Sequence, residues 1–131
     1  MATVPLLSDS EASPEARAVF DDIRATRGSD FINNFWRALA HDPALLRATW
    51  DRLKSVMGPG TIDPLTKELI YIAVSVANGC EYCAHSHTAA ARAKGMTPEQ
   101  HGELLAVIGM ASQTNALANA LQVPVDEVFK A

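Results

Sequence analysis

Residues 63–95 read DPLTKELIYIAVSVANGCEYCAHSHTAAARAKG, and the fold turns on how this stretch is punctuated. Asp63-Pro64 is a capping side chain followed by a first-turn proline, a position where the missing N–H is not needed. From Leu65 to Asn78 the residues are apolar around most of a helical circumference, which predicts a central helix. Gly79 breaks or bends it. From Cys80 an alanine-rich helix resumes through Lys94, with Gly95 behind it as a favourable C-terminal glycine.

The same punctuation extends in both directions. Towards the N-terminus, Ser13-Pro14 caps a helix in which Ala16, Val19, Phe20 and Ile23 recur at helical spacing until Gly28. A second helix is expected from about Phe31 to His41. Asp42-Pro43 opens a third, with Leu46, Trp50, Leu53 and Met57 on one side, and Gly58-Pro59-Gly60 ends it. Towards the C-terminus, Thr97-Pro98-Glu99-Gln100 forms a capping box for a helix reaching about Met110. The stretch on to Leu121, and Val125 to Phe129 after Pro124, also reads as helical. Valine and isoleucine cluster only where helix caps bracket them, so strands have no place. The expectation is an all-α fold of about six or seven helices: one domain over 1–131, with an N-terminal helical extension at about 1–30.

Composition narrows the function. With 131 residues, 48% hydrophobic and 20% charged, the chain is too apolar to be disordered and large enough to bury a core. A net charge of -4 leaves no basic excess for phosphates, so nucleic acid is not an expected partner. Met1 to Ser10 lacks the basic and apolar regions of a signal peptide, and no apolar run approaches the roughly 20 residues of a spanning helix. The expected location is cytoplasmic, with no membrane partner. The only two cysteines stand as Cys80-Glu81-Tyr82-Cys83, and in a reducing compartment such a pair is more often catalytic or metal-binding than structural.

On a helix, residues three, four and seven apart share a face, so Cys80, Cys83 and His87 line one side of the helix after Gly79. A helix N-terminus or a nearby imidazole raises the thiolate fraction of a thiol. One thiolate can then attack a peroxide oxygen, and the other thiol can trap the sulfenic acid as a disulfide. On the preceding helix Glu68, Tyr71, Ser75 and Asn78 form a polar stripe leading towards the cysteine turn. In an antiparallel hairpin Glu68 and His87 come within side-chain reach of each other. The carboxylate would orient the imidazole and favour its protonated form, and the ring could relay a proton to or from a thiol.

Other readings stand beside this one. Cys80 and Cys83 could be two small buried residues at a helix junction, or half of a zinc site with His85 and His87. That site is awkward, because His85 points away from the cysteine face. Glu68 could be a first-turn acid held by the helix dipole, and His87 a satisfied core histidine. Tyr82 is either a packing residue or a wall of the pocket. Trp36 and Trp50 read as core or subunit interface, and His41 and His101 carry no motif. No cofactor and no metal are assigned.

Glu68, eleven intervening residues, then Cys80-x-x-Cys83-x-x-x-His87 resembles the signature of the alkylhydroperoxidase D and carboxymuconolactone decarboxylase superfamily. The likeness is strongest from about Asp63 to Gly95 and extends more loosely back to Phe31 through Ala38-Leu39-Ala40-His41-Asp42-Pro43. The resemblance implies an all-helical fold, obligate oligomers with a hexamer ahead of a trimer or dimer, and peroxide reduction through the cysteine pair. A lipoyl-type or thioredoxin-like dithiol would recycle that pair. Decarboxylase members generally lack the pair, so its presence favours the redox branch; a lyase using Glu68 and His87 with the cysteines incidental, and a non-catalytic redox-sensing oligomer, stand as alternatives. Tyr82 departs from the peroxidase pattern, which has a histidine before the second cysteine.

Within the pair, Cys83 lies one turn inside the helix and one turn from His87, which suits attack on a small oxidant. Cys80, at the turn, suits resolution and exchange with a bulky carrier. The helix dipole pulls the other way, since Cys80 is nearer the N-terminus.

Overall fold

The computed structural model describes residues 1–130, whose regular secondary structure is all helical, with no strand among them. The elements are α1 (Pro14–Arg27), α2 (Asn34–Leu39), α3 (Pro43–Met57), α4 (Pro64–Ala77), α5 (Glu81–Ala93) and α6 (Pro98–Ala120), followed by a single 3-10 turn at Glu127–Phe129. They fall into two compact units, Met1–Gly58 and Pro59–Ala131.

In the first unit the caps act as the sequence implies. Ser13 Oγ accepts from the Ala16 N–H at 3.1 Å, and Asp42 Oδ1 accepts from the Leu45 N–H at 3.0 Å. Each satisfies a backbone donor that the first turn leaves without an intrahelical partner. Val19, Phe20 and Ile23 of α1 bury their side chains with Ile32, Trp36, Leu46 and Trp50. The indoles of Trp36 and Trp50 meet edge-on, with centroids 5.5 Å apart. Both tryptophans are core residues. Asp22 ties α1 to α3, its Oδ2 accepting from Trp50 Nε1, Arg47 and Lys54 at 2.9, 3.0 and 2.8 Å.

Three elements differ in extent from expectation. α2 runs from Asn34 to Leu39 rather than from Phe31 to His41: Asn33 is its extended N-cap, its Oδ1 accepting from Arg27 at 2.6 Å, while Ile32 before it is buried in the core and Arg24 donates to the Asp30 carbonyl at 3.0 Å. α6 runs unbroken to Ala120, since no proline or capping sequence interrupts it after Met110. Of Val125 to Phe129, only Glu127–Phe129 makes a helical turn.

The second unit is organised by α4, which packs against both α5 and α6. Gly79 makes the α4–α5 turn possible. Its φ of 67° is left-handed, and its N–H donates to the Val76 carbonyl while the Cys80 N–H reaches the Ser75 carbonyl at 2.9 Å. This Schellman closure ends α4 and delivers Cys80 straight to the N-cap of α5. α5 ends the same way: Gly95, with φ 95°, donates to the Arg92 carbonyl, and the Met96 N–H to the Ala91 carbonyl at 3.0 Å. Met96 and Ala91 are buried together with Ile72, the apolar contact that usually accompanies the motif. The capping box at Thr97 and Gln100 then starts α6.

Candidate active site at the α4–α5 hairpin

Glu68 stands one turn into α4, and Tyr71 and Ser75 follow on the same face. Only 4% of Glu68 is exposed. Ser75 is equally buried, and its hydroxyl is satisfied by donating to the Tyr71 carbonyl at 2.7 Å. From the facing helix, His87 Nδ1 lies 2.7 Å from Glu68 Oε2, and from the end of that helix Lys94 Nζ lies 2.8 Å from Oε1. Both carboxylate oxygens are thus engaged, each by a different nitrogen.

Burial pushes the Glu68 carboxyl up, but the hydrogen bonds and charges of His87 and Lys94 outweigh it, and the group sits below the ordinary glutamate value. An ionised carboxylate only accepts, so Nδ1 of His87 carries the proton and Nε2 is the nitrogen left for other chemistry. The Tyr71 ring lies flat against the imidazole, with centroids 3.5 Å apart and planes 19° from parallel. His87 is therefore fixed by a hydrogen bond at one edge and an aromatic face on one side.

Cys80 and Cys83 sit at the opposite end of α5 from Lys94. Their sulfurs are at disulfide distance and their Cα atoms are 5.4 Å apart. Cys80 is the N-cap, its Sγ accepting from the Cys83 N–H at 3.3 Å, and Cys83 stands one turn before His87 on the same helix. One hairpin thus carries all four residues singled out from the sequence. His85 stands apart: its side chain is 82% exposed and its Nε2 is 4.0 Å from Glu81. The zinc alternative needed His85 beside the sulfurs, and among the described residues no three His, Cys, Asp or Glu side chains are grouped to hold a metal.

Two contacts were not foreseen. The sequence marks Tyr71 only as part of a polar stripe. Lys94 reads from the sequence as the last residue before Gly95, yet it stands seven residues after His87, two turns along the same face.

The model of the carboxymuconolactone decarboxylase family matches residues 43–126, well over half of the chain. The chain belongs to this family. Its fold is that of the alkylhydroperoxidase AhpD core from Rhodospirillum rubrum: the two share 69% identity and superpose with a TM-score of 0.97, over 100% of this chain and 98% of that one. Among curated relatives it is 41% identical over 66 residues to alkyl hydroperoxide reductase AhpD of Solibacter usitatus, covering 50% of this chain and 36% of that one. It is 38% identical over 71 residues to the protein of the same name in Corynebacterium aurimucosum, covering 54% and 38%. The chain thus spans little more than a third of these two relatives. It is also 35% identical over 77 residues to uncharacterized protein 4 in the cox locus of Paracoccus denitrificans, covering 57% and 69%. No helix among the described residues is long and apolar enough to cross a membrane.

Proposed function

We propose that the chain is a thiol-dependent peroxidase that reduces organic or hydrogen peroxide through a Cys80–Cys83 disulfide cycle, with a dithiol as reductant. The observation that carries this reading is the cysteine pair at disulfide distance on the N-terminus of α5, one turn from an imidazole pinned by a buried carboxylate. The names of the two curated AhpD relatives and of the R. rubrum structure support it.

In the cycle, the Cys83 thiolate attacks one oxygen of the peroxide and the O–O bond breaks. Cys83 becomes a sulfenic acid, and the departing alkoxide takes a proton and leaves as an alcohol, or as water from hydrogen peroxide. Cys80 attacks the sulfenic sulfur, the S–S bond forms, and hydroxide leaves as water after protonation. The reductant, lipoyl-type or thioredoxin-like, then supplies two electrons and two protons by thiol–disulfide exchange and ends as its own disulfide. His87, oriented by Glu68, manages the protons in both oxidative steps. The Cys83 N–H donated to Cys80 Sγ favours a Cys80 thiolate instead, so trapping the sulfenic acid decides which sulfur reacts first.

The family description itself favours a second reading, a lyase with Glu68 and His87 as acid and base and the cysteines incidental. Consumption of cumene hydroperoxide with dihydrolipoamide tests the first: turnover is expected for the parent and none for the variant with both cysteines changed to serine. Equal turnover in both would end the peroxidase reading. An oxidant-dependent disulfide without turnover would leave a redox sensor.

We also infer a homo-oligomer, with a hexamer ahead of a trimer or dimer, acting in the cytoplasm without nucleic-acid or membrane partners. Ile70, Val74, Leu105, Val107, Met110 and Leu117 are exposed on α4 and α6, an apolar surface of the sort that self-association covers. Light scattering that returned the monomer mass at micromolar concentration would remove the claim.

A further inference from the structure

Glu68 has two oxygens in a buried setting, and the imidazole accounts for only one of them. The other faces Lys94 Nζ at 2.8 Å, and among the described residues no buried side-chain oxygen or nitrogen is left without a partner. A carboxylate with one oxygen buried and unmatched would rotate or take up a proton, and either change would release Nδ1 of His87. The lysine backbone is not free to wander. It is the C-cap of α5, followed at once by the Schellman closure at Gly95 and Met96. Its side chain is 38% exposed, so water is within reach, yet the ammonium turns inward to the acid.

We propose that Lys94 is a positioning residue of the candidate active site: by taking Glu68 Oε1 it turns Oε2 onto His87 Nδ1. The consequence is electrostatic as well as geometric. The ammonium matches the carboxylate charge, so the carboxylate remains charged in its buried place whether or not the imidazole holds a second proton. With Lys94 supplying the matching charge, the hydrogen bond from His87 Nδ1 orients the ring without also having to balance the charge of the buried acid. Lys94 would thus allow His87 to act as base in one step and acid in the next. This role rests on the peroxidase reading for its purpose, but the placement of Glu68 does not.

The bland alternative is a surface lysine that merely complements the dipole at a helix C-terminus. The groups facing Glu68 from the packed elements are His87 and Lys94 of α5, with Tyr71 beside them on α4. The test follows the Glu68 side-chain carboxyl by carbon-13 NMR through an acid titration of the full chain, in the parent, Lys94→Met and Lys94→Arg. Lys94→Met should raise the Glu68 midpoint by about one pH unit or more, and Lys94→Arg should restore it. The acid limb of peroxide turnover should move upward with it in Lys94→Met and return in Lys94→Arg, a pattern that a helix-end stabiliser would not produce. Thermal melts of the three proteins identify any variant that fails to fold, and Lys94→Gln replaces Lys94→Met in that event. A parent without turnover would sink the peroxidase reading and leave the carboxyl titration to decide the role of Lys94. An unchanged Glu68 midpoint in a folded Lys94→Met protein overturns the proposal.

Discussion

Replacing Glu68 with glutamine removes the negative charge that His87 and Lys94 share and leaves an amide of the same shape. The amide oxygen can accept from one of the two nitrogens, but the NH2 group then faces the other: against Lys94 it sets donor against donor, and against His87 it forces the ring out of the tautomer that carries its proton on Nδ1, in a place only 4% exposed. A hydrogen bond to a charged group contributes about 1.5–3 kcal/mol, and here one is lost and a second weakened while the desolvation of the charge is relieved. The net expectation is destabilisation by about 2 kcal/mol, a sizeable part of the roughly 5–15 kcal/mol of a whole domain. The pH dependence is the sharper test. The folded carboxyl lies below its unfolded value, so its contribution is fully present above the unfolded pKa and is lost as pH falls through the folded one. Urea unfolding of parent and Glu68→Gln at equal protomer concentration should therefore show the full gap at pH 7 and a closing gap in the acid range below about pH 4. A gap under about 0.5 kcal/mol at pH 7, or one that persists unchanged into acid, would refute the account of Glu68 as a charged, doubly bonded buried acid.

With Cys80→Ser, peroxide should leave a sulfenic acid on Cys83 that dimedone labels and mass spectrometry locates; label found only on Cys80 in Cys83→Ser would reverse the roles. Gly79→Ala meets no atom within 4 Å but must hold φ at 67°, so unfolding experiments should read a cost of roughly 1 kcal/mol from backbone strain alone. Asp22 is held down at about 2, first by Lys54, then by Trp50 and more weakly by Arg47, against the desolvation of its carboxylate. Its stabilising contribution is present above its unfolded pKa and lost as pH falls through about 2, so the gap between parent and Asp22→Asn, about 1 kcal/mol at neutral pH, should close across that interval and shrink in high salt. We propose that residues 1–131 form a single domain: calorimetry should show one cooperative transition, and two resolved transitions, one for each compact unit, would contradict it.

The helices were legible because their ends are local. Ser13, Asp42, Asp63 and Thr97 each cap backbone donors three residues on, and Gly79 and Gly95 close turns through bonds spanning five residues or fewer. Such interactions depend on neighbours in the chain alone, so residue order reveals them. Spacing likewise determined that Cys80, Cys83 and His87 share a face and that Glu68 heads a polar stripe. Where sequence fell short, a distant partner decided. The start of α2 was set by Arg24 and Arg27 reaching across six residues to Asp30 and Asn33, and nothing within Phe31 to His41 announces that. The charge state of Glu68, the edge-and-face hold on His87 and the inward turn of Lys94 arose only when α4 and α5 closed into a hairpin. They join residues 16 to 26 positions apart, and it is burial, which no short window of sequence specifies, that makes a carboxylate recruit two nitrogen donors instead of water.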